Sequence, residues 1–394
     1  AKTLLEGGKT EVTIYEAWDH WKARGGALGL AAGKRILEHF GLSEELAEVS
    51  NSSEGYTWQF HAKGSKLSFV NVPGCIAMRT DLQRVLVDSM PPDVVKLDHK
   101  LVDIVEGDHE VLLTFENGVT ASADLVVASD GIHSFVRQKI FGEDVPHFTG
   151  FRVLYSVSST PYRPDPSISK THWLEAEGAG YAILEMTAGR GSTRHDLCVL
   201  ILRSEEAITD RWDSTMVKER FEQVAQCLDL PVLQAAVRHA ELCFDWGVYE
   251  SPPQKSWISP RQRIVLLGDA AHATAPFLAQ GANMAMHDAY CLGQILLKEE
   301  ISLSKGLQLY EASRKIYCEG VVAKSSRMGE MHTATGLRAA FRNYFLSACV
   351  LRNMSTLFRT DPTKHMPWEK HESLLQRLGR SVSSICSEKP WVHW

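Results

Sequence analysis

Two short apolar runs, each followed by a polar turn and a helical pattern, stand out along the chain. Residues 264–267 and residues 125–128 are unbroken apolar runs, which is the pattern of strands buried on both faces of a parallel sheet. A Gly-Asp turn follows the first run and a Ser-Asp-Gly turn follows the second. This order of buried strand, polar turn and helix predicts an α/β fold with a parallel sheet.

Other segments have the alternating pattern of half-buried strands. Tyr56, Trp58 and Phe60 alternate with polar residues, and the alternation resumes after a turn at residues 63–64. Further strand patterns occupy residues 151–157, 171–176, 181–187, 196–202 and 241–248. We expect these strands to form a mainly antiparallel sheet that is inserted into a nucleotide-binding fold and covers a substrate pocket.

The chain is therefore expected to contain two domains and a helical C-terminal region. A Rossmann-like domain is predicted in residues 1–53, 79–145 and 257–304, a substrate domain in residues 54–78 and 146–256, and a helical region in residues 305–394. The helical prediction rests on the patterns that dominate from about residue 307 onward.

Composition narrows the classes of function. The 394 residues are 44% hydrophobic and carry a net charge of −6, which favours neither a disordered chain nor a nucleic-acid partner. The eight cysteines are scattered, without a C-x-x-C pair or a His/Cys cluster at metal spacing. We therefore expect reduced thiols, no metal site and a cytoplasmic protein. Arg342 and Arg352 interrupt the apolar stretch 339–358, so stable membrane insertion is not expected.

The most informative segment, residues 263–289, combines a strand, a turn, a proline loop and a helix start. The carboxylate of Asp269 follows the strand and can accept hydrogen bonds from a sugar or ribityl hydroxyl, and Pro276 stiffens the loop. The free N–H groups at the helix start suit negative charge, such as the N1/C2 carbonyl side of a reduced flavin. The predicted contact residues are Gly268, Asp269, Gln280, Gly281, Ala282 and Asn283.

This segment resembles the G-D-A-A-H-x-x-x-P-x-x-G-Q-G-x-N-x-A-x-x-D-A signature of FAD-dependent aromatic monooxygenases, the group that includes salicylate and 4-hydroxybenzoate hydroxylases. Ala279 stands where many members have the first glycine of G-Q-G. The Gly-Gly-x-Leu turn within residues 24–42 is similar to the corresponding segment of tetracycline-inactivating and salicylate hydroxylase-like enzymes. A generic strand-turn-helix is the alternative, and the number of special residues at fixed spacing favours the family.

Two more segments support the resemblance. Residues 124–142 resemble the D-G-x-x-S-x-V-R motif of the family, which lies near the FAD pyrophosphate and assists nicotinamide cofactor binding. By themselves, Asp-Gly and Ser in this order also fit a turn and a helix N-cap. Residues 78–86 resemble a family helix whose arginine, here Arg79, approaches the flavin, although Arg79 alone also fits a surface charge. The residues carried over from the first motif are Asp130, Gly131, His133, Ser134 and Arg137.

The N-terminal segment departs from the family pattern. Residues 11–16 have the pattern of the second strand of a dinucleotide-binding unit, with Glu16 placed to bind the adenosine ribose hydroxyls. The G-x-G-x-x-G turn that normally precedes such a strand is absent, and residues 1–8 have the pattern of the back half of the first helix. We therefore expect a longer protein that carries the first strand upstream, a gap in the sheet beside residues 12–16, and an incomplete pyrophosphate site.

The resemblance implies a reaction. FAD, reduced by NADH or NADPH, reacts with O2 to form a C4a-hydroperoxide, which hydroxylates an aromatic, phenolic substrate. The catalytic base is not identified: His172, Tyr155 and Tyr181 are weak candidates, and each also fits a packed sheet residue. Two alternatives stay open, namely a related flavoenzyme that acts as an epoxidase or reductase, and a degenerate, flavin-free binding protein.

Overall fold

The computed structural model describes residues 1–8, 10–21, 25–142, 145–207, 214–228 and 230–348. Part of the predicted helical region, residues 349–394, lies outside the described residues. The strands are β1 (Ile14–Tyr15), β2 (Ala27–Leu30), β3 (Tyr56–Ala62), β4 (Ser65–Val72), β5 (Cys75–Met78), β6 (Val95–Lys96), β7 (Leu101–Glu106), β8 (Val111–Phe115), β9 (Thr120–Ala123), β10 (Val126–Ala128), β11 (His147–Ser158), β12 (Ile168–Ala176), β13 (Ala179–Ala188), β14 (His195–Arg203), β15 (Leu242–Glu250) and β16 (Ile264–Leu266).

The helices include the one predicted to begin after the Gly-Asp turn and the proline loop. They are α1 (Lys2–Gly7), α2 (Ala32–His39), α3 (Ser43–Val49), α4 (Arg79–Asp88), α5 (Ser214–Leu228), α6 (Pro231–His239), α7 (Asp269–His272), α8 (Gly281–Leu296), α9 (Leu303–His332) and α10 (Gly336–Ala348). A π-helical turn lies at Arg137–Phe141, and 3-10 turns lie at Gly191–Thr193 and Pro276–Leu278. None of the described helices is both long and apolar enough to cross a bilayer.

Outside the seven-stranded sheet, the parallel strands of the described residues occur in two separate pairs. Strand β1 pairs with β6, and β10 pairs with β16, both in parallel. The residues Ile264, Val265 and Leu266 of β16 are fully buried, as their unbroken apolar run predicts. No strand among the described residues joins the two pairs. The gap expected beside residues 12–16 and the incomplete pyrophosphate site stay predictions.

The alternating segments form a seven-stranded sheet in the order β15-β11-β14-β13-β12-β3-β4. Neighbouring strands are antiparallel except β12 and β3, which are parallel. Because side chains alternate between the two faces of a strand, each face has its own core. One face contributes Phe60, Tyr155 and Trp173 to an aromatic core, and the other packs Leu154 and Ile183 against helices α5 and α6. The predicted α/β fold with an inserted, mainly antiparallel sheet is confirmed.

Helix α9 packs against both the core around β10 and β16 and the core of the seven-stranded sheet. Its first half packs in the core around β10 and β16 through Tyr310 and Cys318, whereas Met328 and Met331 near its end pack against the aromatic core of the seven-stranded sheet. Gly329 allows this contact, because a Cβ atom there would lie 2.5 Å from the ring of Phe277. The end of α9 is therefore held against the sheet.

Candidate active site

A cavity of about 690 Å³ is lined by residues from both halves of the molecule. We call the lining residues of the seven-stranded sheet and of α9 the roof side, and the remaining lining residues the motif side. A volume of this size is typical of small-molecule sites. The predicted site residues that line the cavity are Glu16, Arg79, Tyr155, Asp269, Pro276, Gln280, Gly281 and Ala282. The sequence motifs therefore converge on one cavity.

Asp269 begins helix α7 directly after strand β16. The preceding Gly268 has a φ of 61° and lies against Ala285, where a Cβ atom would approach the alanine side chain to 3.1 Å, so this turn favours glycine. The Asp269 side chain is exposed to the cavity. The surrounding protein excludes bulk water and raises the pKa of the carboxyl group, while the nearby His272 opposes this shift. Such a carboxylate is placed to accept hydrogen bonds from ligand hydroxyls.

Helix α8 begins at the cavity. Gln280 is its N-cap residue, and the side-chain amide of Gln280 donates a hydrogen bond to the carbonyl oxygen of Leu278. A Cβ atom on Gly281 would lie 3.9 Å from an oxygen of Asp269, so the helix start and this carboxylate are close neighbours. The first N–H groups of this 16-residue helix have no partner within the helix, and they favour a negatively charged ligand group.

Asn283 holds the backbone around the cavity and does not line it. Its side-chain oxygen accepts hydrogen bonds from the N–H groups of Ala31 and Gly33, both at 3.0 Å, and its amide donates to the carbonyl oxygens of Gly29 and Ala279. These four bonds join the turn after β2 to the loop before α8. The motif position is therefore structural in this chain.

Ala279 has a φ of 52°, in the left-handed region. This conformation explains why many family members have glycine here, because a side chain in this region costs about 1–2 kcal/mol. The methyl group of Ala279 faces Gly29, whose own Cβ atom would lie 3.7 Å away. Because Gly29 in β2 has no side chain, it leaves room for the methyl group of Ala279.

The D-G-x-x-S-x-V-R segment is tied to the Gly-Asp turn. Asp130 accepts a hydrogen bond from the hydroxyl of Ser134 at 2.5 Å, and that hydroxyl oxygen accepts one from the N–H of Arg137. The guanidinium of Arg137 is buried and donates to the carbonyl oxygens of Ala270 and Ile132. The predicted site residues Asp130, Gly131, Arg137, Gly268 and Asn283 are not among the lining residues, whereas Ile132 is.

A buried charge network that the sequence analysis did not identify lies beside the Asp269 turn. Asp288 accepts hydrogen bonds from His272 at 2.6 Å and from Arg314 at 2.7 Å. Burial by itself raises the pKa of Asp288, but Arg314 and His272 lower it well below its usual range. Burial also lowers the pKa of His272, but the Asp288 charge outweighs it and raises this pKa to about 10. The signal for this network was the spacing of these residues in the motif and in Tyr310-Glu311-x-x-Arg314.

His272, Asp288 and Cys318 also bring three potential metal-ligand atoms within 4.8 Å of one another. The Arg314 cation already pairs with the carboxylate and lies 3.6 Å from the sulfur. A metal cation would be repelled by this guanidinium and would displace its hydrogen bonds. We assign no metal to the cluster.

The three base candidates occupy different faces of the sheet. Tyr155 lines the cavity, with its ring stacked on Phe244 at 4.7 Å between ring centroids. Burial raises the pKa of Tyr155 to about 12, so its hydroxyl keeps its proton at neutral pH. His172 and Tyr181 lie on the opposite face, where His172 pairs with Glu185 at 2.5 Å. The alternation of side chains along β12 and β13 is the reason, because their neighbours in sequence face the cavity.

His332, the last residue of α9, lines the roof side and was missed by the sequence analysis. Its Nδ1 accepts a hydrogen bond from the indole N–H of Trp173 at 3.0 Å, which places the ring proton on Nε2. Burial and the nearby Arg342 lower the pKa of His332 to about 3, so the imidazole is neutral. No local motif marks this residue, since its place depends on how α9 packs on the sheet.

Known proteins are similar to this chain in sequence or in fold. A 3-amino-4-hydroxybenzoate 2-monooxygenase of Streptomyces cremeus is 26% identical over 381 residues, which cover 93% of this chain and 90% of the relative. A 6-hydroxynicotinate 3-monooxygenase of Bordetella bronchiseptica is 25% identical over 350 residues, covering 85% and 88% of the two chains. Klebsiella pneumoniae HpxO, solved in complex with FAD and uric acid, superposes with a TM-score of 0.79 at 19% identity and covers 91% of this chain and 92% of its own.

The family model described as "FAD binding domain" matches residues 11–325, which is most of the chain. The residues that line the cavity fit FAD, because the carboxylate of Asp269, several glycines and the start of helix α8 line it together. The chain belongs to the FAD-binding-domain family and is an FAD-dependent monooxygenase.

Proposed function

We propose that this chain hydroxylates a phenolic ring with NADH or NADPH as the reductant and O2 as the oxidant. One observation carries the proposal: Asp269, the start of α8 and a roof of aromatic side chains line the same cavity. The relatives named above act, by their names, on hydroxylated aromatic or heteroaromatic rings. This supports a substrate with a hydroxylated ring.

Bound FAD, once reduced, supplies the activated oxygen, and the protein residues bind, orient and exclude water. With FAD bound, Asp269 would accept hydrogen bonds from the ribityl hydroxyls, and Glu16 would accept them from the adenosine ribose. The N–H groups of Gly281 and Ala282 would stabilise negative charge on the flavin ring, and Pro276 would keep the loop before them stiff. Tyr155 donates a hydrogen bond that orients the substrate oxygen, because its raised pKa keeps the hydroxyl protonated.

The test is turnover by the purified protein loaded with FAD. We expect a yellow protein whose NAD(P)H oxidation consumes O2, becomes faster with a phenol and produces a hydroxylated ring, identified by mass spectrometry. An epoxide product, or anaerobic reduction of a substrate double bond, would establish the epoxidase or reductase alternative. A colourless protein that retains no FAD after loading would favour the flavin-free binding protein.

We also propose boundaries for the domains and a compartment for the protein. The seven-stranded sheet takes its strands from residues 56–72 and 147–250, which supports a substrate domain at 54–78 and 146–256. The scattered cysteines form no disulfide among the described residues, which supports a reducing compartment such as the cytoplasm. Limited proteolysis with mass spectrometry tests the boundaries, and cell fractionation tests the compartment.

A further inference from the structure

None of the described charged side chains of the seven-stranded sheet lines the cavity. Thr171, Leu184 and Met186 line the cavity, whereas Glu185, between two of them in sequence, lies on the other face with His172. Arg163 approaches Glu185 on that face to 3.5 Å. Two strands further along the sheet, Arg152 and Asp245 form a buried ion pair outside the cavity lining. Alternation along β12 and β13 therefore keeps His172 and Glu185 out of the roof side.

The polar groups that do line the roof side are neutral. Burial raises the pKa of Tyr56 and of Tyr155, so both hydroxyls keep their protons. His332 is neutral because its pKa is lowered to about 3. The hydroxyl oxygen of Thr171 accepts a hydrogen bond from the indole N–H of Trp58 at 2.8 Å. The roof side thus offers hydrogen bonds without a charge that could pair with an anionic substrate.

The charged residues among the described lining residues all belong to the motif side. They are Glu16, Asp269 and Arg79, with His20 beside Asp19. Arg79 is solvent-exposed at the start of α4. Glu16 and Asp269 would repel an anion, and burying a carboxylate against the neutral roof would leave it unpaired, which is costly.

We propose that the substrate is an uncharged aromatic compound, with a neutral hydroxyl as its polar group and with no carboxylate or phosphate. The inference rests on the proposed function, which it deepens by naming the class of substrate. The rings of Trp58, Phe60 and Trp246 line the roof side and provide a wall for a planar apolar molecule.

A matched pair of ligands tests the inference. The FAD-loaded protein is titrated with 2-naphthol and with 6-hydroxy-2-naphthoate, which differs only by a carboxylate. Binding is followed by quenching of protein fluorescence, and turnover is followed by O2 and NAD(P)H consumption. We expect the naphthoate to bind about 100-fold more weakly than the naphthol. Equal or tighter binding of the naphthoate, or binding of neither compound at millimolar concentration, would overturn the inference.

A cation introduced on the roof side should reduce the expected preference for the neutral ligand. Leu184→Arg places a cation on the roof side and should improve naphthoate binding about 10-fold, because a carboxylate then has a partner. Val105→Arg, which adds a cation at an exposed residue outside the cavity lining, should leave both affinities unchanged. If Leu184→Arg does not fold, Met328→Lys on α9 provides the same test with the same control. A folded Arg or Lys variant that does not gain naphthoate affinity contradicts the proposal.

The outcomes separate this inference from the proposed function. Tight binding of 2-naphthol without any stimulated O2 consumption would contradict aromatic hydroxylation and leave the preference for a neutral ligand standing. Rapid hydroxylation of the naphthoate with poor use of the naphthol would support the proposed function and overturn the inference.

Discussion

The two sides of the cavity are built in opposite ways. The motif side takes Asp269 and the start of α8 from one short stretch, Asp269 to Ala282. Its other charged groups, Glu16 and Arg79, come from earlier in the chain. The roof side takes its groups from strands β3, β4, β11, β12, β13 and β15 and from helix α9, and those groups are neutral. Local strand-turn-helix geometry places the first set, whereas the pairing of distant strands places the second. The comparison teaches that local geometry places most groups of the motif side, whereas the pairing of distant strands places the groups of the roof side.

The charge network behind the motif side should be the most sensitive part of the molecule. Asp288→Ala removes the partner of two buried cations, so we expect unfolding free energy to fall by about 3–5 kcal/mol. Urea unfolding measures the loss. The control is Asp108→Ala, which breaks an exposed pair with Arg261 and should have little effect. Equal losses in the two variants would remove the distinction between this network and the surface.

Alkaline pH should weaken the same network. The pKa of His272 is about 10 in the folded protein, above the 6.5 of an ordinary histidine. Its contribution to stability is therefore complete below about pH 6.5 and is lost as the pH rises through about 10. We expect a melting temperature that falls over this range, and a smaller fall in His272→Gln. Parallel pH profiles for the two proteins would show that His272 does not carry the effect.

FAD affinity should depend on the carboxylate of the motif side. Asp269→Ala loses charge-assisted hydrogen bonds to a ligand hydroxyl, so we expect FAD to bind about 10- to 150-fold more weakly. Fluorescence titration with FAD measures the change. Asp108→Ala, which does not line the cavity, should retain the affinity of the unchanged protein. Normal FAD retention by Asp269→Ala would exclude this carboxylate from the flavin site.

Two tyrosines of the seven-stranded sheet should respond differently to substitution by phenylalanine. Tyr155 lines the cavity and Tyr181 does not. Tyr155→Phe should lower kcat/KM for the aromatic substrate about 5-fold, since one neutral hydrogen bond is lost. Tyr181→Phe should leave kcat/KM unchanged. The reverse order of effects would mean that substrate binds on the other face of the sheet.

The smallest expected effect concerns Ala279. Ala279→Gly relieves a left-handed alanine but adds freedom to the unfolded chain, so the net gain in stability should be at most about 1 kcal/mol. Ala282→Gly, in the first turn of α8, should instead destabilise by about 0.5–1 kcal/mol. A melting-temperature comparison distinguishes the two glycines. Similar losses for both would show that the φ of Ala279 carries no strain.

The sequence by itself predicted the α/β fold, the antiparallel sheet and most of the motif side. Asp269, Gln280 and Gly281 were predictable because a buried apolar run and a turn place the next side chain at the strand end. The same reasoning placed the start of α8 correctly at Gln280.

Only the tertiary structure decided which sequence-predicted groups reach the cavity. Asn283 and Arg137 carry motif positions, yet their hydrogen bonds hold backbone segments together. Period-two alternation predicts that His172 and Thr171 point to opposite faces, but only the packing of the sheet determines which face meets the cavity. His332 reaches the roof side only because α9 packs against the sheet at Gly329. Contacts between residues far apart in sequence leave no local pattern, so the neutral roof could be found only in the folded protein.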